Sequence, residues 1–116
     1  MELNLILPQP PTVNHYWGQS GKLRFLTAKA KTFRKEVAIR AQLAGKSFGK
    51  ARLGIRIVYF PADKRRTDLD NRLKGLLDAL QHAGVFDDDE QIDQLTIIRG
   101  AVQINGACSV FIWNLV

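Results

Sequence analysis

Asp68 and Asp70 are the first side chains in this sequence whose types and spacing suggest chemistry. The basic trio Lys64, Arg65 and Arg66 precedes them, and Lys74 follows four residues after Asp70. A second acidic cluster, Asp87-Asp88-Asp89-Glu90, lies further on. Carboxylates are hard oxygen ligands suited to Mg²⁺ or Mn²⁺, and a lysine beside them is suited to a phosphate oxygen. The same residues have an ordinary reading. Thr67 with Asp70 three residues later resembles a capping box, and acids in a first helical turn complement the helix dipole. Asp70 and Lys74 also have the spacing of a surface ion pair.

Geometry sets conditions on the metal reading. In a regular helix Asp68 and Asp70 project about 200° apart. They converge only if Asp68 sits in the turn before the helix is regular. Asp89 meets Asp70 only if the chain returns from Gly84 along the helix, for example in a strand starting near Ile92. On the residues alone, the metal and capping readings both stay open. An EF-hand loop counted from Asp68 or Asp87 lacks its sixth-position glycine. Zinc would need clustered Cys or His, and Cys108, His15 and His82 are dispersed. No Gly-rich phosphate loop and no nucleophile-elbow motif is present, so no nucleotide cofactor is expected.

The charge distribution bears on the partner. Residues 22–56 hold eleven Lys or Arg against Glu36 alone, whereas residues 57–93 hold nine of the eleven acids and five bases. A basic segment attracts polyanions through counterion release. Acids beside bound phosphate then call for a cation between them. Cys108 is the only cysteine and lies in an apolar run, which suits a core position and a reducing cytoplasm. No apolar run approaches the ~20 residues of a membrane span, and the N-terminus has no secretory-signal pattern.

These residues need elements to position them. Residues 2–7 alternate as a strand stopped by Pro8, Pro10 and Pro11. Residues 12–26 read as a loop with room for a short hairpin around Gly18 to Gly21. Thr27 caps a helix over about 28–44, with Phe33, Val37 and Ala41 on one face and Gly45 at its end. Residues 51–60 alternate as a half-buried strand. A second helix over about 68–83 carries the stripe Leu69, Leu73, Leu76, Leu77 and Leu80. Strands over about 92–99 and 107–115 follow, joined by a turn with Asn105-Gly106. The order β-α-β-α-β-β predicts one α+β domain spanning 1–116, a mixed sheet of about four strands with two helices on it.

Arg66-Thr67-Asp68-Leu69-Asp70-Asn71, Lys74, Asp78-Ala79-Leu80, Ala83-Gly84 and Asp88-Asp89 with Gln91-Ile92 resemble the RusA family of Holliday junction resolvases, the crossover junction endodeoxyribonucleases. The run Leu7-Pro8-Gln9-Pro10-Pro11-Thr12-Val13-Asn14 adds to the likeness, which extends from the first strand to about residue 98. The resemblance implies a small, homodimeric, Mg²⁺-dependent endonuclease, mostly of phages and prophages. Such an enzyme resolves four-way DNA junctions by paired symmetric nicks, in recombination and repair. It places Asp68, Asp70 and Asp89 in the family's metal-binding catalytic positions and Lys74 in that of its catalytic lysine. Asp88 is the neighbouring acid, and three acids in a row leave room for a one-residue slip.

On this reading Lys64, Arg65 and Arg66 anchor neighbouring phosphates. Asn14 lies in a loop that can approach DNA, beside His15, Tyr16 and Trp17, whose aromatic rings suit either a wedge at an open junction or packing. His82 fits a helix end. Two cuts per junction and one site per chain call for a two-fold dimer. The rivals are a non-catalytic basic DNA-binding module, and a metal-dependent nuclease acting on other branched DNA or on RNA.

Overall fold

Leu3, Leu5 and Leu7 alternate with exposed neighbours, so strand β1 (Glu2–Pro8) buries one side only. The computed structural model describes all residues 1–116. After β1 come a short helix α1 (Val13–Tyr16), a hairpin of β2 (Trp17–Ser20) and β3 (Leu23–Leu26), and the long helix α2 (Ala28–Ala44). Strand β4 (Leu53–Phe60), helix α3 (Leu73–His82), and strands β5 (Ile92–Arg99) and β6 (Ala107–Asn114) complete the chain.

The main sheet has the order β1-β6-β4-β5. Its pairings are antiparallel except β4 with β5, which runs parallel from Leu53 opposite Ile92 to Tyr59 opposite Arg99. This is the expected mixed four-stranded α+β sheet. Leu3, Leu5 and Leu7 of β1, Ile55 and Ile57 of β4, and Val110 and Ile112 of β6 form its buried face. Phe33, Val37 and Ala41 of α2 and Leu76, Leu77 and Leu80 of α3 cover that face. Each fully buried Leu, Ile or Phe contributes about 1.5–3 kcal/mol, so this shared core is what fixes the helices. Cys108 is part of it, and burial pushes its thiol up to about 12.

Two regions differ from the simple β-α-β-α-β-β reading. Residues 13–26 form the short hairpin expected around Gly18 to Gly21, and before it the helix α1, which was not expected. Tyr16 anchors this segment. Its ring is fully buried, and the Thr27 hydroxyl donates to the carbonyl oxygens of His15 (2.5 Å) and Tyr16 (3.2 Å), pinning the base of the hairpin to the start of α2. The Thr27 hydroxyl also accepts from the Ala30 N–H at 3.2 Å, as the expected N-cap.

The second difference is the start of the leucine helix. Leu69–Arg72 form a 3₁₀ turn, and regular α-helix begins only at Leu73. Asp68 stands outside, with extended φ −82° and ψ 142°, and its carbonyl accepts from the Asn71 N–H at 3.2 Å. No capping box forms from Thr67 and Asp70. Gly84, with φ 80°, adopts the left-handed conformation that ends α3 and turns the chain toward the buried Val85 and Phe86.

Candidate active site along helix α3

Helix α3 and its 3₁₀ lead-in form a rod with acids at both ends. At the N-terminal end, Asp68 precedes the turn and Asp70 lies within it. Neither carboxylate takes part in any of the five ion pairs of the chain. Asp68 shares a shallow depression with Lys64, Arg65, Arg66 and Arg99. The Arg99 guanidinium donates to the Thr67 carbonyl at 2.8 Å, which ties this turn to the far end of β5. Arg65 is already engaged. Its guanidinium and its backbone N–H each reach Asp63 at 2.9 Å, and they hold that carboxyl below its ordinary value.

At the C-terminal end, a second 3₁₀ turn, Asp89–Gln91, leads into β5. Here the capping box is real. Asp88 accepts from the Glu90 N–H at 3.0 Å, and Gln91 Oε1 accepts from the N–H groups of Asp87 (3.0 Å) and Asp88 (2.9 Å). Gln91 Nε2 donates to the carbonyls of Gly49 (2.9 Å) and Ala51 (2.6 Å). Gln91 is the one buried polar side chain outside the hydrophobic core, and all its bonds hold the acidic segment in place. The Asp89 N–H donates to Gln81 Oε1 at 3.2 Å, and Arg52 pairs with Asp93 and, at 3.3 Å, with Glu90.

The chain therefore does return along α3, from Gln81 at the start of β5 to Thr67 at its end. It sets Asp89 beside Gln81 rather than beside Asp70. At ~2.0 Å per residue through the 3₁₀ turn to Leu73 and ~1.5 Å per residue beyond it, Asp70 and Gln81 lie about 18 Å apart along the axis. Within one chain no three His, Cys, Asp or Glu side chains are grouped to hold a metal ion. Asp88 and Asp89 are close neighbours. Partial desolvation and then the adjoining Asp88 push the Asp89 carboxyl upward, and the opposing pull of Lys74 does not cancel them. Lys74, in the first turn of α3, thus acts electrostatically on Asp89 while lying four residues from Asp70. The donor chemistry suits a hard cation: Asp68, Asp70 and Asp89 offer carboxylate oxygens that form no ion pair with a basic side chain.

Other residues bind the surroundings together. Tyr16 donates to Asp78, and Arg34 reaches the same carboxylate oxygen at 2.8 Å from Nη2 and 2.9 Å from Nε. Arg72 donates to the Pro10 carbonyl and lies 5.6 Å from the Tyr59 ring, joining the proline run to the 3₁₀ turn. Between α2 and residues 61–72 lies a cleft of about 950 Å³, with Lys29, Arg65, Arg66 and Arg72 among its walls. Asn14 is exposed on α1, and Lys64, Arg65 and Arg66 precede the acids in an irregular exposed segment. Residue spacing did not single out Gln81, Arg34 or Arg99, and Gln91 entered only as part of the family likeness, with no role assigned to it. Their only sequence signal is that Gln and Arg are costly to bury or immobilise unless they are bonded.

A family model described as endodeoxyribonuclease RusA matches residues 8–110. The chain is 43% identical over 115 residues to the crossover junction endodeoxyribonuclease rusA of Enterobacteria phage HK97, covering 98% of this chain and 96% of that protein. It is 32% identical over 113 residues to the crossover junction endodeoxyribonuclease RusA of Escherichia coli K12, covering 97% and 94%. The corresponding protein of Enterobacteria phage 82 is 31% identical over the same length.

Proposed function

This chain belongs to the RusA family of endodeoxyribonucleases, and we propose that it resolves Holliday junctions by paired, symmetric, Mg²⁺-dependent nicks in DNA recombination and repair. One observation supports the reading best. The chain carries a net charge of +6, yet Asp68, Asp70 and Asp89 remain without ion-pair partners along the same helix as Lys74. Unneutralised carboxylates in a basic protein that binds polyanions make chemical sense when a cation joins them to phosphate.

In this proposal Asp68, Asp70 and Asp89 are the carboxylates for Mg²⁺, with Mn²⁺ as a substitute; one chain holds Asp68 and Asp70 at the start of α3 and Asp89 beside Gln81, so a single ion does not take all three from one chain as it stands. The ion, when bound, polarises the scissile phosphate and lowers the pKa of a water. Lys74 places a positive charge where the transition state gains negative charge. Lys64 and Arg66, in the depression beside Asp68, hold flanking phosphates, and Asn14 contacts the strand from α1. Arg65 is the weaker member of the basic trio, because Asp63 already occupies its guanidinium. Two cuts per junction call for a homodimer with one site per chain, working on DNA in the cytoplasm.

The test is nicking of a synthetic four-way junction, compared with linear duplex and with an RNA hairpin. Symmetric nicks in the junction alone, dependent on Mg²⁺, are the expected result. Binding without nicking at any Mg²⁺ or Mn²⁺ concentration would convert the reading to a non-catalytic DNA-binding module. Equal cutting of RNA or of other branched DNA would replace the substrate.

A further inference from the structure

The β2–β3 hairpin has two unlike faces. Its register pairs Trp17 with Leu26, Gly18 with Phe25, Gln19 with Arg24, and Ser20 with Leu23. Trp17 and Leu26 pack against the core, and the Arg24 guanidinium lies 4.3 Å from the Trp17 ring. Strand alternation puts Gly18, Ser20, Leu23 and Phe25 on the opposite face. That face is open: Leu23 is 67% exposed and Phe25 45%. The Phe25 ring lies across Gly18, where a Cβ would sit 2.5 Å from two of its ring carbons. A glycine opposite an aromatic residue lets the ring lie flat on the backbone, leaving its other face to solvent.

We propose that this face is a base-stacking platform for an unpaired nucleotide at the branch point of the DNA, with Phe25 as the stacking ring and Leu23 beside it. The proposal deepens the junction reading and rests on it. Charge selects the occupant. No acid occurs from residue 3 to residue 35, while Lys22, Arg24, Lys29, Lys31, Arg34 and Lys35 all fall there. A second copy docked face to face on the hairpin would set Lys22, at the hairpin tip, against its own counterpart in a segment that carries no acid to offset it. A nucleic-acid strand instead supplies a π-face for Phe25 and phosphates for the flanking cations, the pairing found in single-strand recognition.

The platform is also tied to the candidate active site. Tyr16, adjoining β2, packs on Gly75 and bonds Asp78, and Gly75 follows Lys74 directly. Tyr16 therefore links the base of the hairpin to the helix turn that carries the lysine. A base held on Phe25 would set how far the scissile phosphate lies from the branch.

The experiment compares the full-length chain with Phe25→Ala and Phe25→Trp on a four-way junction carrying 2-aminopurine beside the branch point, and on linear duplex. The wild type is expected to prefer the junction and to raise the probe's fluorescence by unstacking it. Phe25→Ala should weaken junction binding by about ten-fold, leave duplex binding unchanged, and abolish the fluorescence rise. Phe25→Trp should restore the binding. Phe25→Ala is expected to keep the circular dichroism and melting profile of the wild type, because the side chain is half exposed. A wild type with no preference for the junction would overturn the junction reading and the platform with it. A junction-selective wild type whose preference and fluorescence rise survive Phe25→Ala would overturn the platform alone. Loss of sedimentation as a dimer in Phe25→Ala, with the fluorescence rise intact, would make the face a subunit contact and overturn the platform as well.

Discussion

The Tyr16 ring rests against Gly75, so closely that a Cβ on Gly75 would come within 2.6 Å of a ring carbon. This contact joins the N-terminal third of the chain to the helix that carries Lys74. The Tyr16 hydroxyl and the Arg34 guanidinium meet on Asp78, one turn beyond Lys74, so two segments distant in sequence converge on α3.

Gly75→Ala should therefore destabilise the protein. The methyl group gains about 1 kcal/mol of helix propensity, but overpacking against a buried aromatic ring costs about 1–3 kcal/mol. A net loss of up to about 2 kcal/mol is expected from urea unfolding followed by circular dichroism. Stability equal to or above wild type would show that the ring can move aside freely.

The same contact predicts a pH dependence. Burial, reinforced by the hydrogen bond to Asp78, raises the Tyr16 phenol well above its ordinary value of 10.0. The unfolded chain then loses this proton at lower pH than the folded chain. The resulting stability is fully present below pH 10 and is lost as pH rises from there toward the folded value. Tyr16→Phe should lack this alkaline decline, so the stability difference between wild type and variant should shrink above pH 10. Unfolding midpoints measured at intervals between pH 8 and pH 11.5 would check it.

Gln91→Ala removes four hydrogen bonds at once, leaving two N–H groups and two carbonyls in a partly buried loop without partners. At about 1–3 kcal/mol for each unsatisfied group, with water relieving some of them, a loss of about 3 kcal/mol or more is expected in chemical denaturation. Cleavage by the folded fraction should fall as well, because the Asp88–Asp89 pair loses its anchor. A variant with wild-type stability would mean that solvent replaces the amide.

Asp70→Asn and Lys74→Ala separate two roles. Asp70→Asn should abolish Mg²⁺-dependent nicking while junction binding holds or tightens, since a negative charge near phosphate is gone. Lys74→Ala should lower kcat by about 10²–10³-fold with the circular dichroism spectrum preserved. Single-turnover cleavage and gel-shift titrations on one junction would measure both. Full activity in Asp70→Asn would remove that residue from the site.

Much of the fold was legible because one-sided burial imposes periodicity. The alternation in β1 and β4, the Phe33-Val37-Ala41 face of α2, and the turn at Gly84 all stand where local patterning predicts them. The 13–26 segment was less legible. Its hairpin is held by a single buried tyrosine and by one threonine hydroxyl that both caps α2 and bonds back to α1, and neither contact has a period. The start of the leucine helix stands close to its expected position, with Asp68 outside it, but its first turn is tighter than the stripe implies. The leucine stripe runs smoothly through residues 69–80, but the backbone tightens into a 3₁₀ turn until Leu73.

The sequence by itself determined the α+β architecture, the acid and lysine identities, and membership of an endonuclease family, because periodicity, residue chemistry and motif spacing are all written along the chain. The tertiary structure alone decided where those acids stand. Local rules place Asp68 outside a helix and Asp70 within its first turn. Only long-range bonds, the parallel ladder of β4 with β5 together with those from Asp89 to Gln81, from Gln91 to Gly49 and Ala51, and from Arg99 to Thr67, set the direction of β5 and put Asp89 at the opposite end of α3. Such partners are 8 to 42 residues apart, and no local pattern encodes which of many such pairings the packed core will select.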